Sequence, residues 1–352
     1  MTPPPSPNAD KAITIIDVAR IAGVSIKTVS RVLNRESGVG AETRAHVDKI
    51  IKDLDYRPNA SARSLSSHRK YLIGMIVANI GQFEYVGQLQ AGVTESCLRA
   101  GYHLTVESLP RGTEARDAYL KKLQSRRSVD GLVITPPFCD DQALLDFLHD
   151  ANIPVVRIAP TDKSDQTPFV YTDDYEASFK MTSSICDLGH RLVAMIEGPE
   201  DHVSARERRR GFNDALRKHG LAHRDTMRVR GDYGSVSGFE GTEALLSLSP
   251  RPTAIVAAND LMAIGALAAI SKHGLRAPED ISIVGFDDIP AASSCWPPLT
   301  TVRQPIDKLG ELASDLLIAG IGDPRHRTAA RFAFHPCEII LRASLGPPPA
   351  TA

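Results

Sequence analysis

Between residues 72 and 288 the chain alternates short apolar runs with longer amphipathic ones, and few folds accommodate that alternation. The apolar runs are LIGMIVAN (72–79), HLTVESL (103–109), GLVITPP (131–137), PVVRIAP (154–160), FVYTD (169–173), LVAMIEG (192–198), TMRVRG (226–231), AIVAAND (254–260) and ISIVGFDD (281–288). Between most of them lie stretches with helical spacing: 86–100, 114–126, 142–150, 174–189, 204–219, 236–247 and 261–273. Strand–helix alternation predicts parallel sheets with helices on both faces, here in two α/β units split near residues 161–173. Ligands of such sheets bind beyond the C-terminal ends of the strands. Those ends carry Asn79, Gln82 and Phe83 after the first run, Asn259 and Asp260 after AIVAA, and Asp287 after ISIVGF.

Ahead of this body stands a segment of different character. Residues 1–70 hold 12 Lys and Arg against 7 Asp and Glu, whereas the rest of the chain holds 29 against 35. A basic head on a mildly acidic body fits a polyanion partner for the head, and equally an ordinary solvated surface. The opening MTPPPSPNAD carries four prolines and no apolar core, so residues 1–11 are expected to be a disordered lead-in rather than a signal peptide. No run reaches the roughly 18 apolar residues of a membrane span. The five cysteines (Cys97, Cys139, Cys186, Cys295, Cys337) are scattered and never in a CxxC pair. That argues for a reducing, cytoplasmic setting, with neither a disulfide frame nor a thiolate metal site.

In the head, Thr14 and Asp17 form an N-cap pair that opens a helix over 15–22, with Val18, Ile21 and Ala22 inward. Gly23 follows where a left-handed turn residue is needed. Ser25 caps a second helix, 26 to about 34, whose Val29, Val32 and Leu33 share one face while Lys27, Thr28, Ser30 and Arg31 lie off it. A third helix, 41 to about 55, is expected to bury Ala45, Ile50, Ile51 and Leu54, with Gly40 as a weak cap. It stops at Tyr56-Arg57-Pro58. Two short helices about a glycine turn suit a helix-turn-helix, and by spacing alone they suit a plain three-helix bundle as well.

The wording of the segment separates the two. TIIDVARIAGVSIKTVSRVLN followed by ETRAHVDKIIKDLDYRPNASARSL resembles the DNA-binding head of the lactose/galactose repressor family over about 55 residues. The resemblance implies that Ile26 and Lys27 meet base edges in the major groove. It makes Arg31 a base or phosphate contact, and Thr14, Ser25, Thr28, Ser30 and Asn34 contacts to the DNA backbone. It further implies a hinge helix within 58–69, capped by Asn59, with Ala62 at a dimer contact and Leu65 wedged between base pairs from the minor groove. Ile26 departs from the polar or aromatic residue common at its position, so no operator sequence carries over.

The body is similar to the same family's effector domain, which resembles a periplasmic sugar-binding protein. The matching pieces are GPEDHVSARERRRGF, RPTAIVAANDLMAIGAL, ISIVGFDDIP and PPLTTVRQP. The resemblance implies a two-lobed periplasmic-binding-protein-like α/β domain over 70–345, behind an all-α helix-turn-helix head over 12–57. Lobe 1 is expected to hold about 70–161 and 306–330, and lobe 2 about 168–300 and 331–345. Arg208, Asn259 and Asp287 match the family's ligand-binding arginine, asparagine and aspartate, and Tyr233 falls where an aromatic covers the ligand. Trp296 offers a second stacking face or a core plug. On their own, Asp287 fits a loop cap, Arg208 a surface charge in its RERRR cluster, and Asn259 or Asp260 the cap of the next helix, with Asp260 the expected one. Together these groups suit sugar hydroxyls.

The chain is accordingly read as a homodimeric repressor of a near-palindromic DNA operator, controlled by a small-molecule effector, a sugar. A corepressor-driven regulator with a purine ligand, or an activator, is the alternative within the same family. No metal or cofactor is expected, and no membrane partner. HExxH, the phosphate-loop GxxxxGK and CxxC are all missing from the sequence, and its 11 histidines show no ligand spacing, which argues against an enzyme. A transport receptor has no use for a helix-turn-helix, and an architectural DNA protein has none for a 270-residue ligand fold.

Overall fold

Runs dense in Val, Ile and Leu are stable as strands only when both faces are covered, which is the environment of a parallel sheet between helices. A computed structural model shows this arrangement. It describes residues 13–33, 37–54, 56, 69–78, 83–109, 113–126, 128–161, 167–221, 225–322 and 332–350. Two compact units, up to Tyr71 and from Leu72 onward, make up the chain.

The smaller unit contains α1 (Ile15–Ala22), α2 (Ile26–Leu33) and α3 (Ala41–Asp53). Thr14 and Asp17 form a reciprocal capping box, and Gly23 ends α1 at φ +65°. Ser25 Oγ accepts from the Thr28 amide at 3.1 Å and so caps α2. The core is Val18, Ala19, Ala22, Val29, Val32, Val47 and Tyr56. Two expectations fail here. Ile21 is exposed and Ala19 takes its inward place, because three helices this short meet over a narrow stripe. In α3 Ala45 faces solvent and Val47, two residues on, is buried in its stead.

The larger unit begins β1 (Leu72–Val77), α4 (Phe83–Ala100), β2 (His103–Ser108), α5 (Thr113–Arg126), β3 (Gly131–Ile134), α6 (Gln142–Asp150), β4 (Val155–Ile158) and β5 (Phe169–Tyr171). It continues α7 (Asp174–Asp187), β6 (Val193–Glu197), α8 (Val203–Lys218), β7 (Arg228–Arg230), α9 (Ser235–Leu246), β8 (Ala254–Ala257), α10 (Asp260–Lys272) and β9 (Ser282–Val284). The last elements are α11 (Pro290–Ser294), β10 (Thr301–Arg303), α12 (Ile306–Gly322), β11 (Phe332–Phe334) and β12 (Glu338–Ile340). One sheet runs β11-β5-β4-β3-β1-β2 and a second runs β7-β6-β8-β9, while β10 pairs with β12. Every pairing in the two larger sheets is parallel. Both orders reverse beside their first strand, between β1 and β3 and between β6 and β8, which marks where a ligand crevice opens.

The expected lobe boundaries need correction. Residues 169–171 pair with β4, and 332–334 pair with β5, so both extend the first sheet rather than the second lobe. Apolar patterning shows that FVY is a strand without showing which sheet it joins. Only 338–340 returns to pair with β10. The chain therefore crosses between lobes three times: after β5, after β10 and after β11.

Among the described residues, no helix is long and apolar enough to cross a membrane. Helices α4 and α12 cover one face of the first sheet and touch backbone to backbone. A Cβ on Gly92 would collide with the carbonyl of Asp307, and one on Gly310 with the carbonyl of Leu89. Gly87, on the same helix as Gly92, has open space around it. Gly92→Ala is therefore expected to cost about 1–3 kcal/mol in denaturant unfolding of the body. Gly87→Ala is expected to gain up to about 1 kcal/mol from helix propensity.

Candidate functional site

In the smaller unit, Val29 and Val32 turn inward, which leaves the opposite side of α2 polar and open. Ser25, Ile26 and Lys27 are exposed at its start, and Thr28, Ser30 and Arg31 are half-buried along its flank. One helix thus presents a cation, hydroxyls and an apolar tip together, the mixture that reads phosphates and base edges. Two of these hydroxyls are partly engaged, Ser25 Oγ lying 2.9 Å from Thr28 Oγ1. Thr14 Oγ1 donates to Asp17 at 2.7 Å, so its first role is the helix cap. Asn34, Asn59, Ala62 and Leu65 lie outside the described residues, as do the lead-in and most of the hinge segment.

In the larger unit a cavity opens at the C-terminal ends of both sheets. Its walls include Val77 at the end of β1 and Ala78 after it, Thr135 and Pro136 after β3, Asn259 after β8 and Asp287 beyond β9. Arg208, on α8, is its electrostatic centre and is 4% exposed. Nε donates to Asp174 at 2.8 Å and Nη1 to the Ala258 carbonyl at 2.6 Å. Asp287 Oδ1 lies 3.7 Å from Nη1, and the guanidinium stacks 3.7 Å from the centre of the Phe286 ring. Burial works against the charge of Arg208, but Asp174 and Asp287 together hold its pKa above the ordinary value. Burial pushes Asp287 up to about 6, against the pull of Arg208 and of a 2.6 Å bond from Gln304 Nε2.

The three lobe crossings meet at this point. Thr172 Oγ1 bonds Asp174 at 3.1 Å and Gln304 Oε1 at 3.4 Å, and the Cys337 amide donates to Asp173 at 2.7 Å. Asp287 and Asp288 both sit in the left-handed region, at φ +113° and +55°. Each such residue costs of order 1–3 kcal/mol and persists only where its surroundings fix it.

The remaining expectations divide. Tyr233 lines the cavity with φ +69° and its hydroxyl 3.4 Å from Ser204, and burial raises its pKa. Asn259 lines the cavity too, but its side chain is mostly committed. Oδ1 accepts from the Met262 amide at 3.0 Å and Nδ2 donates to the Tyr233 carbonyl at 2.9 Å. Asn259, not Asp260, is thus the cap of α10, and it also orients Tyr233. Trp296 is corrected: it is 88% exposed and absent from the cavity wall, while Leu299 just after it is the residue that plugs the core. Phe83 opens α4, and Asn79, Gln82 and the Phe83 side chain lie outside the described residues.

Sequence reading missed Asp174, Gln304, Tyr85, His202 and Ser204, all on the cavity wall. Asp174 follows a strand end, so the rule that found Asp287 reaches it once β5 is placed in the first sheet. Gln304 is polar at a crossover, which patterning alone does not single out.

Comparison with known proteins decides the family. A model described as bacterial regulatory proteins, lacI family, matches residues 14–59, and one described as a periplasmic binding protein-like domain matches 183–345. The ribose operon repressor of Escherichia coli (strain K12) is 36% identical over 320 residues, covering 88% of this chain and 94% of that protein. The chain belongs to the lacI family. Another lacI-family relative, the HTH-type transcriptional repressor PurR of Edwardsiella ictaluri, is 35% identical over 96% of this chain and 98% of its own. The lac repressor dimer bound to operator and the anti-inducer ONPF matches with a TM-score of 0.74 at 32% identity, over 95% of this chain and 99% of that one. The complex of the regulator CelR with cellobiose matches at 0.72 and 29%, over 94% and 99%. This lacI-family chain is a DNA-binding transcriptional regulator with a two-lobed effector domain.

Behind the cavity, burial and then the charge of Asp287 push the Asp260 carboxyl up to about 8. A carboxyl that binds its proton more tightly folded than unfolded adds stability below its unfolded pKa, ~3.9, and loses it as pH rises through the folded value. Asparagine has no such proton. Wild type is therefore expected to lose melting temperature relative to Asp260→Asn between pH 5.5 and pH 8.5, as read by thermal denaturation at both.

Proposed function

We propose that this chain is a repressor whose affinity for its operator is controlled by a sugar held in the cavity between the two lobes. One observation carries the reading: a donor and an acceptor fixed side by side on the cavity wall. Among the described residues, Nη2 of Arg208 and Oδ2 of Asp287 have no hydrogen-bond partner, whereas the other polar atoms of both groups are engaged. Neighbouring sugar hydroxyls satisfy such a pair, one donating to the carboxylate and the next accepting from the guanidinium. Tyr85 and Tyr233 add ring surface for the apolar face of the sugar. The relatives named for a ribose operon and complexed with cellobiose support the same class of ligand.

On this reading two copies of the chain read a near-palindromic operator, each through Ile26, Lys27 and Arg31 of α2. Sugar that favours one arrangement of the lobes lowers operator affinity, and operator lowers sugar affinity by the same factor.

Operator affinity at fixed salt, measured with and without D-ribose, cellobiose, other neutral sugars and purine bases, tests the reading. One sugar is expected to weaken binding tenfold or more, about 1.4 kcal/mol of coupling. A purine that tightens binding instead replaces the sugar reading with a corepressor. Asp287→Ala is expected to abolish the sugar response and leave operator affinity intact. Arg31→Ala is expected to weaken operator binding about tenfold with the melting of the body unchanged.

A further inference from the structure

Asp260 is a fully buried carboxylic acid that neither lines the cavity nor caps its helix. Two of its hydrogen bonds converge on one turn. The Asp260 amide donates to the Phe286 carbonyl at 2.8 Å, and Asp260 Oδ2 accepts from the Ile289 amide at 2.9 Å. One residue thus grips both ends of the four-residue turn whose middle pair, Asp287 and Asp288, is held at positive φ. Asp260 Oδ1 bonds Thr301 Oγ1 at 2.5 Å, and Thr301 opens β10, the strand that leads to Gln304 and the second lobe crossing.

We propose that Asp260 is a positioning residue, which sets the turn that presents Asp287 to the cavity and ties that turn to the crossover strand β10. The proposal goes beyond the sugar reading but rests on it for the role of Asp287. Displacement of Asp287 by a ligand moves the Phe286–Ile289 turn, and Asp260 passes that movement to β10 through Thr301. Burial keeps the acid largely neutral at pH 7, as its pKa near 8 requires. A neutral acid donates one bond and accepts one. Asparagine does the same, with its amide toward Thr301 and its oxygen toward Ile289. Alanine does neither.

Two readings on the full-length protein test this: amide hydrogen exchange at Ile289 compared with Val256 and Ile283 in the adjoining strands, and affinity for D-ribose as probe. Asp260→Ala is expected to speed exchange at Ile289 tenfold or more beyond any change in the strands, and to weaken ribose binding tenfold. Asp260→Asn is expected to keep both within threefold of wild type. Uniform acceleration across turn and strands in Asp260→Ala, or none, overturns the proposal. A tenfold loss in Asp260→Asn overturns it too, and that variant decides the matter if the alanine form does not fold. Should wild type bind no ribose, the effector reading fails for that sugar, and exchange at Ile289 still decides the role of Asp260.

Discussion

The cavity of the effector body is arranged around a buried cation, Arg208. A guanidinium removed from water loses hydration worth several kcal/mol, and only well-placed acceptors offset that loss. Arg208 meets its acceptors at the end of β8 through Ala258, at the start of α7 through Asp174 and past β9 through Asp287. Each lies where a strand has just ended, and Asp174 stands at the first lobe crossing. Charge satisfaction therefore fixes the relative positions of three chain segments. Loss of Asp174 or Asp287 leaves a partly compensated charge, an imbalance that a bound ligand's hydroxyls are suited to relieve.

The crossovers explain why the cavity sits where it does. Three segments pass between the lobes, and Thr172, Gln304, Asp173 and Cys337 stitch them to one another. A group wedged beside these bonds acts where the three segments cross, and a small displacement there changes the angle between the two sheets. Strain at Asp287 and Asp288 is stored at the same place, next to the acid that grips their turn.

Much of this was legible in the sequence because parallel sheets and helix caps are local facts. Capping at Thr14, the turn at Gly23 and the strand ends that place Asn259 and Asp287 at a crevice all follow from a few neighbouring residues. Where the reading failed, the missing information was not local. Whether Phe169–Tyr171 joins the first or the second sheet depends on which edge is free when it arrives. Trp296 has the composition of a stacking residue, and only the course of the SSCWPP turn sends it outward. Asn259 rather than Asp260 caps α10 because φ and hydrogen bonding, not residue type, decide which of two adjacent candidates a helix uses. Gln304 joins the site through Thr172, 132 residues away, and Asp174 through Arg208, 34 residues away.

The return of the chain to the first lobe has a consequence for how the protein is made. Helices α4 and α12, residues 83–100 and 306–322, pack together through glycine, and β11 at 332–334 is the edge of a sheet begun at residue 72. On the ribosome the smaller unit has its whole core once residue 56 has emerged, whereas the first lobe waits for residue 334. Most of the second lobe lies between, so it is free to collapse first. During the wait β3 and β4 expose apolar strands with no helix α12 to cover them, the kind of surface that chaperones bind and that aggregates at high expression. Slow synthesis of residues 306–334 lengthens that exposure, and the head is already folded while its partner domain is still incomplete.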